Sequence, residues 1–104
     1  MRQRPLITSV MRGIVSFIMT IIEILICLRM VFLLFDANAS NAIVAWVYDK
    51  SQIFVGPFEG IFNDIVIDGR YVIDINALIA WFVYLLIYLV VLEVIKLLER
   101  ALMR

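Results

Sequence analysis

Between residues 77 and 92 the chain carries no charged side chain at all. Such a stretch, lengthened by Ile75 and Asn76 before it and by Val94 and Ile95 beyond Glu93, reads as a membrane-spanning helix. A second apolar run occupies residues 14–35, broken only by Ser16, Thr20, Glu23 and Arg29. As a helix it measures about 33 Å, enough to cross a hydrocarbon core of about 30 Å. The whole chain has 104 residues, 65% of them hydrophobic, which is too short a length to hide that much apolar surface in a private core. Lipid must cover the remainder.

The expected fold class is an all-α membrane protein. A hairpin of two transmembrane helices forms one domain over residues 1–104, with an amphipathic interfacial helix in the outer loop. The first span is placed at 13–35, the interfacial segment at 42–62 and the second span at 74–96. Thr8 or Ser9 is positioned to cap the first helix, Asn41 the middle one and Asp74 the last. Arg2, Arg4 and Arg12 ahead of a greasy run that ends near Ala37-Asn38-Ala39 imitate a secretory signal. The run is longer than the apolar core of such signals and holds Glu23 and Arg29, so it reads as a retained span.

Orientation follows from charge. Arg2, Arg4 and Arg12 precede the first run without an acid, and Lys96, Arg100 and Arg104 follow the second. The segment between the runs holds Lys50 and Arg70 against Asp36, Asp49, Glu59, Asp64, Asp68 and Asp74. The positive-inside rule then puts both termini in the cytoplasm. The expected location is the plasma (inner) membrane. Lys96, Arg100 and Arg104 recur every four residues, one stripe toward anionic headgroups on a continuing helix.

In the loop, Ile43, Trp46, Val47, Ile53 and Phe54 recur at helical spacing, and Pro57, Phe58, Ile61 and Phe62 extend the stripe. Asp49, Gln52, Glu59, Asn63 and Asp64 fall on the other face. The pattern predicts a helix lying in the interface, with Trp46 and Tyr48 at headgroup depth. Gly56-Pro57 should break or kink it, and Asp68-Gly69 marks a turn or short hairpin within 64–71. This segment serves either to shield the ends of the spans or to bind a partner.

These residues resemble a known family. Leu28-Arg29-Met30-Val31-Phe32-Leu33-Leu34-Phe35-Asp36-Ala37-Asn38 is similar to the end of the first span in YggT-type (YlmG-like) small integral membrane proteins. Trp46-Val47-Tyr48 and Gly56-Pro57-Phe58-Glu59-Gly60-Ile61-Phe62 resemble that family's loop signature. Ile73-Asp74-Ile75-Asn76-Ala77-Leu78-Ile79-Ala80, followed by Tyr84, resembles the entry to its second span. The likeness covers roughly residues 25–90 and fits the single-repeat form. It departs at Asp36, where glycine is usual, at Ile53, where proline is frequent, and at Glu59, where many members have arginine. The last change argues against an anion site there. The resemblance implies the two-span architecture and a role in processes such as cell division, osmotic tolerance, organelle nucleoid organisation or photosynthetic cytochrome assembly, without a defined chemistry.

Two charges fall inside the first span. Glu23 lies near its middle, and Arg29 about 9 Å further toward the loop. Arg29 can reach Asp36, seven residues on, or cross to Asp74. Glu23 has no such exit. On the second helix Trp81, Tyr84 and Tyr88 form one stripe, with Ala77 and Ala80 beside it for close approach. Counting from the outer ends of an antiparallel hairpin, Tyr84 and Tyr88 come to the depth of Glu23, so Glu23 is expected to face their phenols or a neighbouring subunit, in a polar clasp within or between subunits. The intramembrane polar set is thus Glu23, Arg29, Tyr84 and Tyr88, and the interfacial surface Trp46, Tyr48, Phe54, Pro57 and Phe58.

Histidine is absent, and Cys27 is the single cysteine, which removes Cys/His metal sites and the commonest general base. Cys27 reads as a small helix- or lipid-facing residue. Asn38-Ala39-Ser40 forms a glycosylation sequon that matters only in a secretory host. No catalytic constellation, cofactor or nucleic-acid partner is expected. The function read from the sequence is a non-enzymatic scaffold or assembly subunit, partnered by the lipid bilayer and by itself or a larger membrane complex. The alternative is a subunit of a small channel or transporter using Glu23.

Overall fold

The structure, a computed structural model, describes residues 6–102. Three helices and a small hairpin follow one another: α1 Leu6–Leu34, α2 Ala42–Val55, a 3-10 turn Gly56–Phe58, β1 Ile65–Ile67, β2 Tyr71–Ile73 and α3 Ile75–Leu102. Helices α1 and α3 pack side by side along an elongated body about 60 Å in its longest dimension. Both are long and apolar enough to cross a membrane by length and composition.

The helices are longer than expected at the end where the termini lie. Helix α1 already runs at Leu6, so Thr8 and Ser9 are inside it and neither caps it. Thr8 instead is fully buried and its hydroxyl donates to Glu99 Oε2 at 3.4 Å. Arg12 pairs with the other oxygen of Glu99, tying α1 to the last turns of α3. In the expected cationic stripe of α3, Arg100 is exposed and Lys96 pairs with Glu93 one turn away. Arg2, Arg4 and Arg104 lie outside the described residues.

At its other end α1 stops at a left-handed residue. Asp36 has φ 55°, Ala37 N–H returns to Phe32 O at 2.8 Å, and Asp36 N–H returns to Leu33 O at 3.4 Å. That pair of bonds is the Schellman arrangement, which satisfies carbonyls the last turn leaves free. Glycine is usual at this position because it has no side chain to clash there; Asp tolerates it better than most residues.

The caps at Asn41 and Asp74 form as the sequence predicts. Asn41 Oδ1 accepts from the N–H groups of Ile43 and Val44 at 2.9 and 3.3 Å, and Asp74 Oδ1 accepts from Ala77 N–H at 3.0 Å. Gly56-Pro57 breaks α2, and Pro57 sits second in the 3-10 turn, among the first N–H groups that have no partner within such a turn. Helix α2 therefore ends at Val55 and does not continue to 62, so Ile61 and Phe62 leave its stripe.

The fold is not all-α. Strands β1 and β2 pair antiparallel, with Ile65 opposite Ile73 and Ile67 opposite Tyr71. Asp68 and Gly69 both have positive φ, 55° and 69°, the signs that a tight hairpin turn matched to strand twist demands. Arg70 N–H closes the turn on Ile67 O at 3.2 Å.

The core is a seam. Ile22 and Ile26 of α1 meet Ala77 and Ala80 of α3, with Val55 of α2 sealing the loop end. The two alanines are fully buried, so small side chains let the helix backbones approach.

Candidate functional site

The densest polar arrangement joins all three helices at the loop end, around Arg29. Its Nε lies 3.2 Å from Asp74 Oδ2, on side chains 13% and 7% exposed. One terminal nitrogen donates to Tyr48 O and to Ser51 Oγ, each at 3.2 Å, and the other to Gln52 Oε1 at 2.9 Å. A planar guanidinium with five donors suits this task, since its fork reaches a carboxylate and a helix together. Of the two acids within reach in sequence, Asp74 takes the pair and Asp36 remains exposed.

The cluster decides which face of α2 is buried. Val47, Ser51 and Val55, one turn apart, pack inward. Ile43, Trp46 and Ile53 do not share that face: they are 69%, 54% and 66% exposed. The expected single apolar stripe is therefore two adjacent faces, one on the hairpin and one open. Tyr48 is half-buried, with its ring edge-on to Phe32 at 6.4 Å. Burial pushes its phenol pKa up, with the Arg29 charge working against that and Asp36 with it.

Gln52 was expected on the solvent face. It links Arg29 to Glu59, donating to Glu59 Oε1 at 2.5 Å. Glu59 thus extends the cluster, and Asp64 approaches Asp74 from the loop. Asp64 is exposed, yet partial desolvation raises its carboxyl above the ordinary value; Asp74 and Glu59 push it the same way, and Arg29 opposes them.

Tyr84 and Tyr88 do not serve Glu23. Tyr84 Oη donates to Phe54 O at 2.8 Å, and Tyr88 Oη bonds Ser16 Oγ at 3.2 Å, about two turns from Glu23. The expected depth fails because the outer ends of the helices are not level. Arg29, more than a turn inside α1, is held against the start of α3 by Asp74, which brings Ala80 rather than Tyr84 toward Glu23's depth. Neither carboxylate oxygen of Glu23 has a hydrogen-bond partner among the described residues, although each exposes less than 1 Å².

The aromatic residues of the loop divide in the same way. Phe54 and Phe58 stand edge-on to Tyr84, at 6.1 and 5.8 Å between ring centres, while Pro57 is exposed. Two contributors escape a reading of spacing alone. Ser51 is fully buried under Arg29, and Asn76 clamps the loop by accepting from Phe62 N–H at 2.9 Å and donating to Phe62 O at 2.8 Å. The single signal for Asn76 is a polar residue directly after the cap of an otherwise apolar helix. Cys27 is a free, exposed thiol. The site orders chain segments; among the described residues no group of His, Cys, Asp or Glu is arranged to hold a metal. Comparison with protein-family models, with curated proteins and with solved structures finds no match to this chain.

Proposed function

We propose that the chain is a multi-pass protein of the plasma (inner) membrane that acts as a non-enzymatic scaffold or assembly subunit. Both termini face the cytoplasm, as the arginines before α1 and the acids between the spans favour. The observation that carries the reading is the apolar surface beyond the spans. Trp46, Ile53, Phe62 and Val66 are each more than half exposed, on elements that the Arg29 cluster and the Asn76 clamp hold in place. An apolar surface of this kind on ordered elements marks contact with lipid or another protein. Ile43, Trp46 and Ile53 suit the interface of the outer leaflet, and β1 suits a protein partner.

The likeness to YggT-type proteins supports the same reading. The segments that carry the likeness meet at one junction: Arg29 on Tyr48 and Asp74, Phe58 on Tyr84, and Phe62 on Asn76. Purification in a native detergent followed by mass measurement tests the proposal, which expects a multimer or a fixed companion. A single copy alone would end it.

A second reading, a subunit of a small channel or transporter, is favoured by Glu23, whose buried oxygens lack a partner among the described residues. Ion flux in reconstituted vesicles that Glu23→Gln removes would select it; a fixed partner without flux would select the scaffold.

A further inference from the structure

The hairpin between α2 and α3 has one open edge. Strand β2 is half-buried and packs on α1, whereas all three residues of β1 are exposed and, among the described residues, β2 is the one strand paired with it. Ile67 O faces into the hairpin, where it accepts from Arg70 N–H at 3.2 Å. Main-chain groups of an antiparallel strand turn alternately to its two sides. Ile67 and Ile65 therefore serve β2, and Val66 directs its N–H and C=O outward. The edge is held in place: Phe62, three residues before β1, is clamped through both its main-chain groups by Asn76.

Three requirements fall on whatever covers β1. Water satisfies the main chain of Val66 but leaves Ile65, Val66 and Ile67 unburied. Lipid covers those side chains but offers nothing to the main chain. A further strand answers both needs. The third requirement is charge. Asp64 and Asp68 stand at the two ends of β1, both exposed, and the hairpin's own cation, Arg70, is stacked 4.9 Å from the centre of the Tyr71 ring on β2. A second copy of the chain fails here. Strand β1 against β1 about a two-fold axis at Val66 sets Asp64 opposite Asp68 at both ends, and a parallel pair in register sets each acid beside its equivalent.

We propose that β1 receives an extended segment of another protein, apolar over three residues and carrying Lys or Arg at both ends, as a third strand. This assignment rests on the scaffold reading and gives the chemistry of its companion. Val66 N–H donates to a carbonyl of that segment and Val66 O accepts from one of its N–H groups, while the flanking cations lie beside Asp64 and Asp68.

Peptide titration of the full chain in phosphatidylcholine nanodiscs, with empty nanodiscs as reference, tests it. The fluorescent probes are Lys-Val-Ile-Val-Lys, Glu-Val-Ile-Val-Glu, and the first peptide N-methylated on its three apolar residues. The unmodified basic peptide should bind at least tenfold more tightly than the other two and should protect Val66 N–H from hydrogen exchange. Asp64→Asn combined with Asp68→Asn should remove the preference for lysine over glutamate ends. Binding no greater than to empty nanodiscs, equal affinity for the three peptides, an unprotected Val66 N–H, or a preference that survives the double variant overturns the proposal. If the native mass still shows a multimer or a companion, the scaffold reading survives that failure; a single copy alone removes both.

Discussion

Arg29 and Asp74 stand 45 residues apart in the chain and meet at 3.2 Å, and the same guanidinium holds the backbone of Tyr48. One cation therefore fixes the position of α2 against both long helices. Arg29→Ala should strip α2 of protection from hydrogen exchange while α1 and α3 retain theirs. Breaking a buried pair costs about 3 kcal/mol or more, since the abandoned carboxylate remains. Arg29→Lys should be intermediate, keeping the charge and losing the fork. Equal loss of protection in all three helices would refute a local role for the cluster.

Asp64 introduces a pH dependence. Although Asp64 is exposed, partial desolvation first, then Asp74 and Glu59, raise its carboxyl pKa in the folded chain, so the fold holds that proton more tightly than the unfolded chain does. Its contribution to stability is full below the ordinary value of 3.8 and is lost as pH rises through the higher folded value. Asp64→Asn removes this arm. The stability gain of the variant over the parent should grow as pH rises from about 4 to about 7, followed by tryptophan fluorescence. A gain that does not change with pH would contradict the assignment.

Asp36 permits a prediction with two signs. Its φ of 55° strains any residue with a side chain and suits glycine. Asp36→Gly should stabilise the end of α1 by up to about 1 kcal/mol, and Asp36→Ala should destabilise it. Thermal melts of the two variants in the same detergent check the difference.

The seam should resist enlargement. Ala80 is fully buried between the long helices, so Ala80→Leu should force them apart at a cost of about 1–3 kcal/mol. Phe82→Leu, at a 53% exposed position on the same helix, should be nearly silent. Comparable melting temperatures for the two variants would remove Ala80 from the seam.

Topology is checked by labelling. In a Cys27→Ala background, a cysteine at Asp64 should react with an impermeant thiol reagent in intact cells, and one at Arg100 should not. Labelling at Arg100 would reverse the orientation.

What could be read from the sequence was local. Asn41, Asp74, Gly56-Pro57 and Asp68-Gly69 each act on the next few residues, so spacing and side-chain chemistry suffice to find them. The Arg29–Asp74 pair was one of two options, because the reach of an arginine can be counted. The partners of Tyr84 and Tyr88 differ from those that residue counting predicts, because depth across a hairpin depends on how the helices slide. That slide is fixed by a tertiary contact rather than by helix ends. The stripe on α2 failed for a related reason: periodicity finds an apolar arc but not its division between neighbouring chain and lipid, and the buried Ser51 breaks the pattern altogether.

Asp74 serves two elements, one oxygen on Ala77 N–H and the other on Arg29. Arg29 leaves the ribosome 45 residues before that carboxylate does. A nascent chain cut short of residue 74 carries the cation without its counter-ion, and α2 lacks the pairing that orients its anchor. The middle of the chain is therefore the last part to be fixed in place, and it waits on a residue not yet made when α2 itself is complete.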